Sequence, residues 1–234
     1  MTNPGFFDPA PEGIPDPLPP DPLPTLAAWL EEAARRRLQP NPNAMCLATV
    51  GPQARPSARV VLCKRLVAEP GYVVFYTNYS SRKGLDLAAH ACAAAVFHWD
   101  ALGRQARIEG PVVRSPTAES DAYFDSRTWR SQLAAAASDQ SRPIRSRQAM
   151  VDRVRAKAAS LGIEDLDAVP RDSPGPAHIP RPADWGGYRL WIESIELWVA
   201  GAARVHDRAR WQRPLTPSDS GFEFGTWSAG RLQP

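Results

Sequence analysis

Between residues 44 and 113 the chain returns five times to short runs of β-branched and aromatic residues. These are Ala44 to Val50, Ser57 to Leu66, Tyr72 to Thr77, Ala91 to Trp99 and Arg104 to Val113. Such residues suit a pleated, half-buried strand. The segment Gly51-Pro52-Gln53-Ala54-Arg55-Pro56 between the first two reads as a hairpin connection. Three further strands are expected at Tyr188 to Val199, Arg204 to Gln212 and Gly221 to Leu232. Many strands joined by short links would expose unpaired edges in an open sheet, and a closed antiparallel barrel removes them. Helices are expected at Thr25 to Arg37, with Thr25 as its cap, at residues 81–90, at Pro116 to Ser126 and at Pro143 to Leu161. The fold class is therefore mainly β with added helices, in one domain over residues 25–234. No internal repeat is present.

Nine of the 25 prolines fall within residues 1–24, a stretch without hydrophobic period, which reads as a disordered or loosely docked tail. A second proline-rich connection runs over residues 162–184, with a linker at 168–182. Other properties narrow the function. A net charge of +3 gives no basic stripe for nucleic acid. No apolar run approaches the ~20 residues of a membrane span. The N-terminus has neither the basic nor the apolar region of a secretory signal. Three scattered cysteines, Cys46, Cys63 and Cys92, fit reduced thiols in the cytoplasm. A nucleophilic role for Cys63 has no acidic or histidine neighbour in sequence to support it. His90, His98, His178 and His206 lie too far apart for a metal site, and no P-loop, dinucleotide turn or nucleophile elbow occurs.

What remains is a set of cationic and hydroxyl stretches at strand ends. FYTNYSSRKG (75–84) runs from a strand through hydroxyls to Arg82-Lys83 and a short helix. Free N–H groups at a helix start add to such charge and suit an anion. RVVLCK (59–64) alternates Arg59, Val61 and Cys63 on one strand face with Val60, Leu62 and Lys64 on the other. Arg104-Gln105 opens a strand. In YFDSRTWRS (123–131), a continuous helix would put Tyr123, Arg127 and Ser131 four apart on one face, which suits a phosphate. Gln140-Ser141 and Trp185-Gly186-Gly187-Tyr188 follow. In RVHDR (204–208), an extended strand would put Arg204, His206 and Arg208 on one face, a row that calls for an anionic or electron-rich partner. Each stretch taken singly reads at least as well as solvated surface.

Taken together and in this order, with WGGYR (185–189) and the closing RLQP, these motifs make the chain resemble the pyridoxamine 5′-phosphate oxidase family over roughly residues 26–234. The resemblance implies a split β-barrel homodimer with FMN in clefts between subunits. It implies flavin contacts at Arg59, Val60, Val61, Leu62, Tyr76, Thr77, Arg82, Lys83, Gln105, Gln140, Ser141, Trp185 and Arg208. It places substrate contacts at Lys64, Tyr123, Arg127, Ser131, Arg204 and His206, the last two being catalytic. The implied substrates are pyridoxamine 5′-phosphate or pyridoxine 5′-phosphate, with O2 as acceptor and no metal. Three features depart from the family pattern: the long proline-rich linker, Cys63 in place of an aliphatic residue, and the alanine-rich stretch at 132–137.

Two rival functions share these residues. One is a flavin oxidase of the phenazine-biosynthesis type, which need not keep the substrate-phosphate set. The other is a carrier that binds FMN or pyridoxal phosphate without turnover.

Overall fold

The computed structural model describes residues 13–163, 165, 166, 168, 175, 178–219 and 221–234. Most of the expected 168–182 linker and the first half of the expected tail lie outside them. Helix α1 (Leu23–Arg36) is followed by strands β1 (Ala44–Val50), β2 (Pro56–Leu62), β3 (Arg65–Val67) and β4 (Tyr72–Asn78). Helix α2 (Arg82–Ala89), β5 (Cys92–Trp99) and β6 (Arg104–Arg114) come next, then helices α3 (Thr117–Asp125), α4 (Trp129–Ala137) and α5 (Arg147–Ala159). Strands β7 (Trp185–Trp191), β8 (Ser194–Val199), β9 (Asp207–Gln212), β10 (Leu215–Ser218), β11 (Gly221–Phe224) and β12 (Ser228–Arg231) complete the chain.

All strand pairings are antiparallel, and β6 organises them. Its first half pairs with β5 and β8, and its last residues turn to β7. The turn falls at Gly110, where a Cβ would stand 2.1 Å from the Trp191 carbonyl oxygen, so only glycine lets the two chains pass. One path runs β12-β9-β8-β6-β5-β1-β2, and β7, β4 and β3 branch from β6. Among the described residues β2 and β12 end that path without pairing to each other, and the strands form the split antiparallel barrel that the resemblance implies. Alternation along β5 and β6 sends Ala95, Phe97, Trp99, Ala106 and Ile108 inward, where they meet Leu47, Phe75, Leu190 and Leu197.

Several elements correct the sequence reading. The strand expected over 57–66 breaks at Cys63-Lys64, because Cys63 N–H donates to Asn43 O and Lys64 N–H to Val74 O. The chain thus leaves the β1 side and joins β4. The strand expected over 188–199 starts at Trp185 and breaks at Ile192-Glu193 for the same reason: their N–H groups reach Gly71 O and Glu109 O, in different halves of the barrel. Residues 221–232 form two strands with different partners, β10 and β9. Thr25 does not cap α1, which begins at Leu23 where Asp21 Oδ1 accepts the Leu23 N–H at 2.9 Å. Helix α4 was not expected; Thr128 caps it and Trp129, Leu133 and Ala137 bury its inner face.

The proline-rich stretch is docked from residue 13 onward. Ile14 is buried, its N–H donates to Asp207 Oδ2 at 2.7 Å, and Pro19 O accepts the Trp211 indole N–H at 2.8 Å. Arg231 pairs with Asp207 and donates to the carbonyls of Ile14 and Pro15.

Candidate active site

The end of β4 and the start of α2 meet at Ser81, whose hydroxyl accepts the Gly84 N–H. Gly84 is required there, since a Cβ would lie 2.1 Å from Tyr79 O. This tight turn aims Lys83 inward while Arg82 stays exposed. Lys83 is only 7% exposed. Its Nζ donates to Thr77 Oγ1 (3.0 Å), Ser81 Oγ (3.3 Å) and Gln140 Oε1 (3.2 Å). All three partners are neutral, and no carboxylate pairs with Lys83 among the described residues. Burial, then the nearby Arg59 charge, lower its pKa to about 8.

Arg59 lies across from it on β2. Its guanidinium donates to Leu47 O (3.2 Å), Thr49 Oγ1 (2.6 Å) and Ser57 Oγ (2.9 Å), and sits 3.6 Å from Asp86 Oδ2. Tyr76, Tyr123 and Trp185 lie with near-parallel rings, Tyr76 being 3.8 Å from Tyr123 and 5.6 Å from Trp185 between ring centres. Burial and then the Glu119 carboxylate push its phenol up to about 12, so it stays protonated. Arg127 lies over the Trp185 ring at 4.9 Å, and its Nη1 is buried without a hydrogen-bond partner. Burial lowers its pKa as well. A desolvated guanidinium with an idle donor suits an anion.

A cavity of about 590 Å³ joins these groups. Arg59, Val60, Val61, Leu62, Tyr76, Thr77, Lys83 and Gln140 line it together with Lys64, Tyr123, Arg127 and Ser131. Trp185 lines an adjoining cavity of about 300 Å³ with Asn78, Arg127, Ser131 and Gln140. Most of the residues singled out in sequence therefore converge within one chain. The route differs from the expected one: α3 ends at Asp125 and α4 begins at Trp129, so Tyr123, Arg127 and Ser131 do not share a helix face. They meet because the connection between two helices folds over the cavity. Thr128, which sequence reasoning missed, lines it too and shares a 2.9 Å hydrogen bond with Ser131 Oγ. Asn78 and Ser81 were likewise not chosen, although both stand inside the quoted 75–84 motif.

Arg204, His206, Arg208 and Gln105 line neither cavity. Nor do they form the expected strand row, because β9 begins only at Asp207, and Ala203 and Arg204 take left-handed φ values of 52° and 64°. His206 packs on Trp198 with ring centres 4.7 Å apart, and its Nδ1 accepts the Gly201 N–H at 3.2 Å. Arg208 pairs with Glu196 at 2.7 Å and donates to Gln233 O. Gln105 and Arg208 both stand opposite Trp198 in register, on the sheet face pointing away from the core. Ser141 is exposed, with φ 71°. Cys63 is buried and its thiol is pushed up to about 12, which removes it as a nucleophile. Among the described residues no cluster of His, Cys, Asp or Glu could hold a metal, and no helix is long and apolar enough to cross a membrane.

Comparison with known proteins places this geometry. The family model described as pyridoxamine 5′-phosphate oxidase matches residues 30–158, and that of the pyridoxine 5′-phosphate oxidase C-terminal dimerisation region matches residues 185–234. The chain is 44% identical over 215 residues to a pyridoxine/pyridoxamine 5′-phosphate oxidase of Gluconobacter oxydans, covering 92% of this chain and 94% of that protein. Among solved structures it is similar to PhzG from Burkholderia lata, in complex with tetrahydrophenazine-1-carboxylic acid, with TM-score 0.78 and 28% identity over 98% of this chain and all of that one. A pyridoxamine 5′-phosphate oxidase-related FMN-binding protein from Nostoc punctiforme shares the fold, with TM-score 0.63 and 16% identity over 91% of this chain and 97% of that one.

Proposed function

Because the chain belongs to the pyridoxamine 5′-phosphate oxidase family, with its FMN-binding split barrel, we propose that it oxidises pyridoxamine 5′-phosphate or pyridoxine 5′-phosphate to pyridoxal 5′-phosphate. O2 is the electron acceptor, H2O2 the product, and the setting is cytoplasmic vitamin B6 metabolism. FMN is the cofactor, and bound in this cavity it would supply the redox chemistry as hydride acceptor.

One observation carries the reading: a single cavity contains a buried lysine, Lys83, and a half-buried arginine, Arg127, whose Nη1 is buried, and among the described residues neither pairs with a carboxylate. Two phosphates, one on cofactor and one on substrate, account for both. The residues present fit FMN. Lys83, Thr77, Ser81 and Gln140 form the phosphate seat at the start of α2, with Arg82 at its rim. Val60, Val61 and Leu62 offer an edge-strand backbone beside it. Lys64, Tyr123, Arg127 and Ser131 hold the substrate phosphate. Arg204 orients the reacting carbon and assists proton loss, and His206 steadies the ring. An amine substrate leaves as an imine, which water hydrolyses to aldehyde and ammonia; an alcohol gives the aldehyde directly.

A homodimer supplies what one chain lacks. Val60 is 69% exposed, and with Cys46 and Val96 it forms an apolar row across the outer sheet face. Arg204, His206 and Arg208 fall within the matched dimerisation region, and Gln105 pairs in register with Trp198 of that region, so a second copy can bring them to the cavity. Light scattering on the FMN-loaded protein should give twice the chain mass; a monomer holding stoichiometric FMN would refute this arrangement.

The depressed Lys83 pKa adds an expectation of opposite signs. FMN affinity, read by flavin fluorescence, should fall as pH rises through about 8, because Lys83 loses its charge. Its contribution to the stability of the FMN-free protein should instead rise between about 8 and the ordinary 10.5, where the unfolded chain binds the extra proton.

The likeness to PhzG supports one other reading, an oxidase acting on a non-phosphorylated ring acid. Purified protein should be yellow and release peroxide with pyridoxamine 5′-phosphate or pyridoxine 5′-phosphate. Peroxide only with phenazine precursors would favour the second reading, and bound flavin without turnover a carrier.

A further inference from the structure

A buried carboxylate stands beside the neighbouring cations Arg59, Arg82 and Lys83. Asp86 lies on α2, one turn beyond Arg82 and Lys83, and is 4% exposed. Its Oδ2 accepts the Thr49 hydroxyl at 2.7 Å and lies 3.6 Å from Arg59 Nη2. Thr49 is itself 1% exposed, and its oxygen accepts the Arg59 Nη1–H at 2.6 Å. The three side chains thus form one chain, Arg59 to Thr49 to Asp86, which ties β2 through β1 to the helix whose first turn carries Lys83.

We infer that Asp86, acting through Thr49, is a positioning residue for cofactor binding: it holds the Arg59 guanidinium against β1 at the wall of the cavity beside Lys83. This rests on the reading of Lys83 as the FMN phosphate seat. Two physical effects follow from the geometry. The carboxylate offsets the charge of Arg59, so that a half-buried Arg59 and a buried Lys83 can stand as neighbours. It also fixes a long, flexible side chain in one orientation, so that the phosphate meets a preformed seat. The remaining Arg59 bonds, to Leu47 O and Ser57 Oγ, complete the clamp but carry no counter-charge.

The test compares FMN with riboflavin, which carries the same ring system without the phosphate. Dissociation constants come from fluorescence quenching on the FMN-free protein, with thermal midpoints measured alongside. Asp86→Asn should weaken FMN about tenfold or more while riboflavin affinity stays within about twofold, since the group lost is a charge-assisted partner. Asp86→Glu should restore part of the loss. If Asp86→Asn does not fold, Thr49→Val breaks the same chain without removing a charge and should show the same selective loss in smaller degree. Equal losses for FMN and riboflavin, or an unchanged FMN constant in both variants, would overturn the assignment. Lys83→Ala serves as the control. If it too leaves FMN unaffected, the seat itself is misplaced; if it selectively weakens FMN while Asp86→Asn does not, only the role of Asp86 falls.

Discussion

Lys83→Ala should weaken FMN binding by about 10- to 100-fold, the largest effect expected of any single change at the cofactor seat. The contact removed is charge-assisted and shielded from water, a class worth about 1.5–3 kcal/mol. Arg82→Ala should cost less, because Arg82 is exposed and water screens its charge. The FMN-free Lys83→Ala protein should melt no earlier than the parent: Lys83 has no carboxylate partner to orphan, and its buried charge opposes folding. Fluorescence titration and a melting curve on the same preparation separate the two effects. Unchanged FMN affinity in both variants would place the phosphate elsewhere.

Arg204→Ala should lower kcat by about 100-fold with little change in KM, whereas Arg127→Ala should raise KM for pyridoxamine 5′-phosphate by about tenfold and leave kcat nearly intact. The contrast follows from position. Arg127 lines the cavity beside Tyr123 and Ser131, where it would grip a phosphate remote from the reacting carbon, equally in ground and transition states. Arg204 lies in the short 202–204 turn preceding His206, held in a left-handed conformation. Steady-state kinetics must follow a check of FMN saturation, so that lost cofactor is not read as lost chemistry. Wild-type kcat in Arg204→Ala would end its catalytic assignment. An unchanged KM in Arg127→Ala would point to a substrate without phosphate.

Strand content was legible because β4 is a nearly unbroken run of β-branched and aromatic residues, as a strand buried on both faces must be, and β6 alternates along almost its whole length. The breaks at Cys63-Lys64 and Ile192-Glu193 were not, since both are set by distant carbonyls that local composition does not encode. Helix α4 escaped notice because QLAAAA has no periodic contrast; its evidence was Thr128, a capping hydroxyl read only as part of a phosphate motif. The cavity residues were legible through motifs, but the path by which Tyr123, Arg127 and Ser131 meet was not. Asp86 was invisible for a simpler reason. It is a lone acid in a helix whose neighbours are cations, and only the β1 and β2 register shows what it faces.

The docked proline-rich stretch joins the two ends of the chain. Ile14 bonds to Asp207 across 193 residues, and Arg231 reaches back to Ile14 across 217. Ile14 therefore waits for Asp207 and Arg231 to be made, and contacts of such separation form late because closing a long loop costs entropy before it returns any contact energy. Asp207 also adjoins His206, the residue proposed to steady the substrate ring. A nascent chain stopped short of β12 would have its barrel core and its Lys83 seat but no latch on Asp207. The bonds that build the Lys83 seat, from Thr77 to Gln140, would thus precede the latch on Asp207.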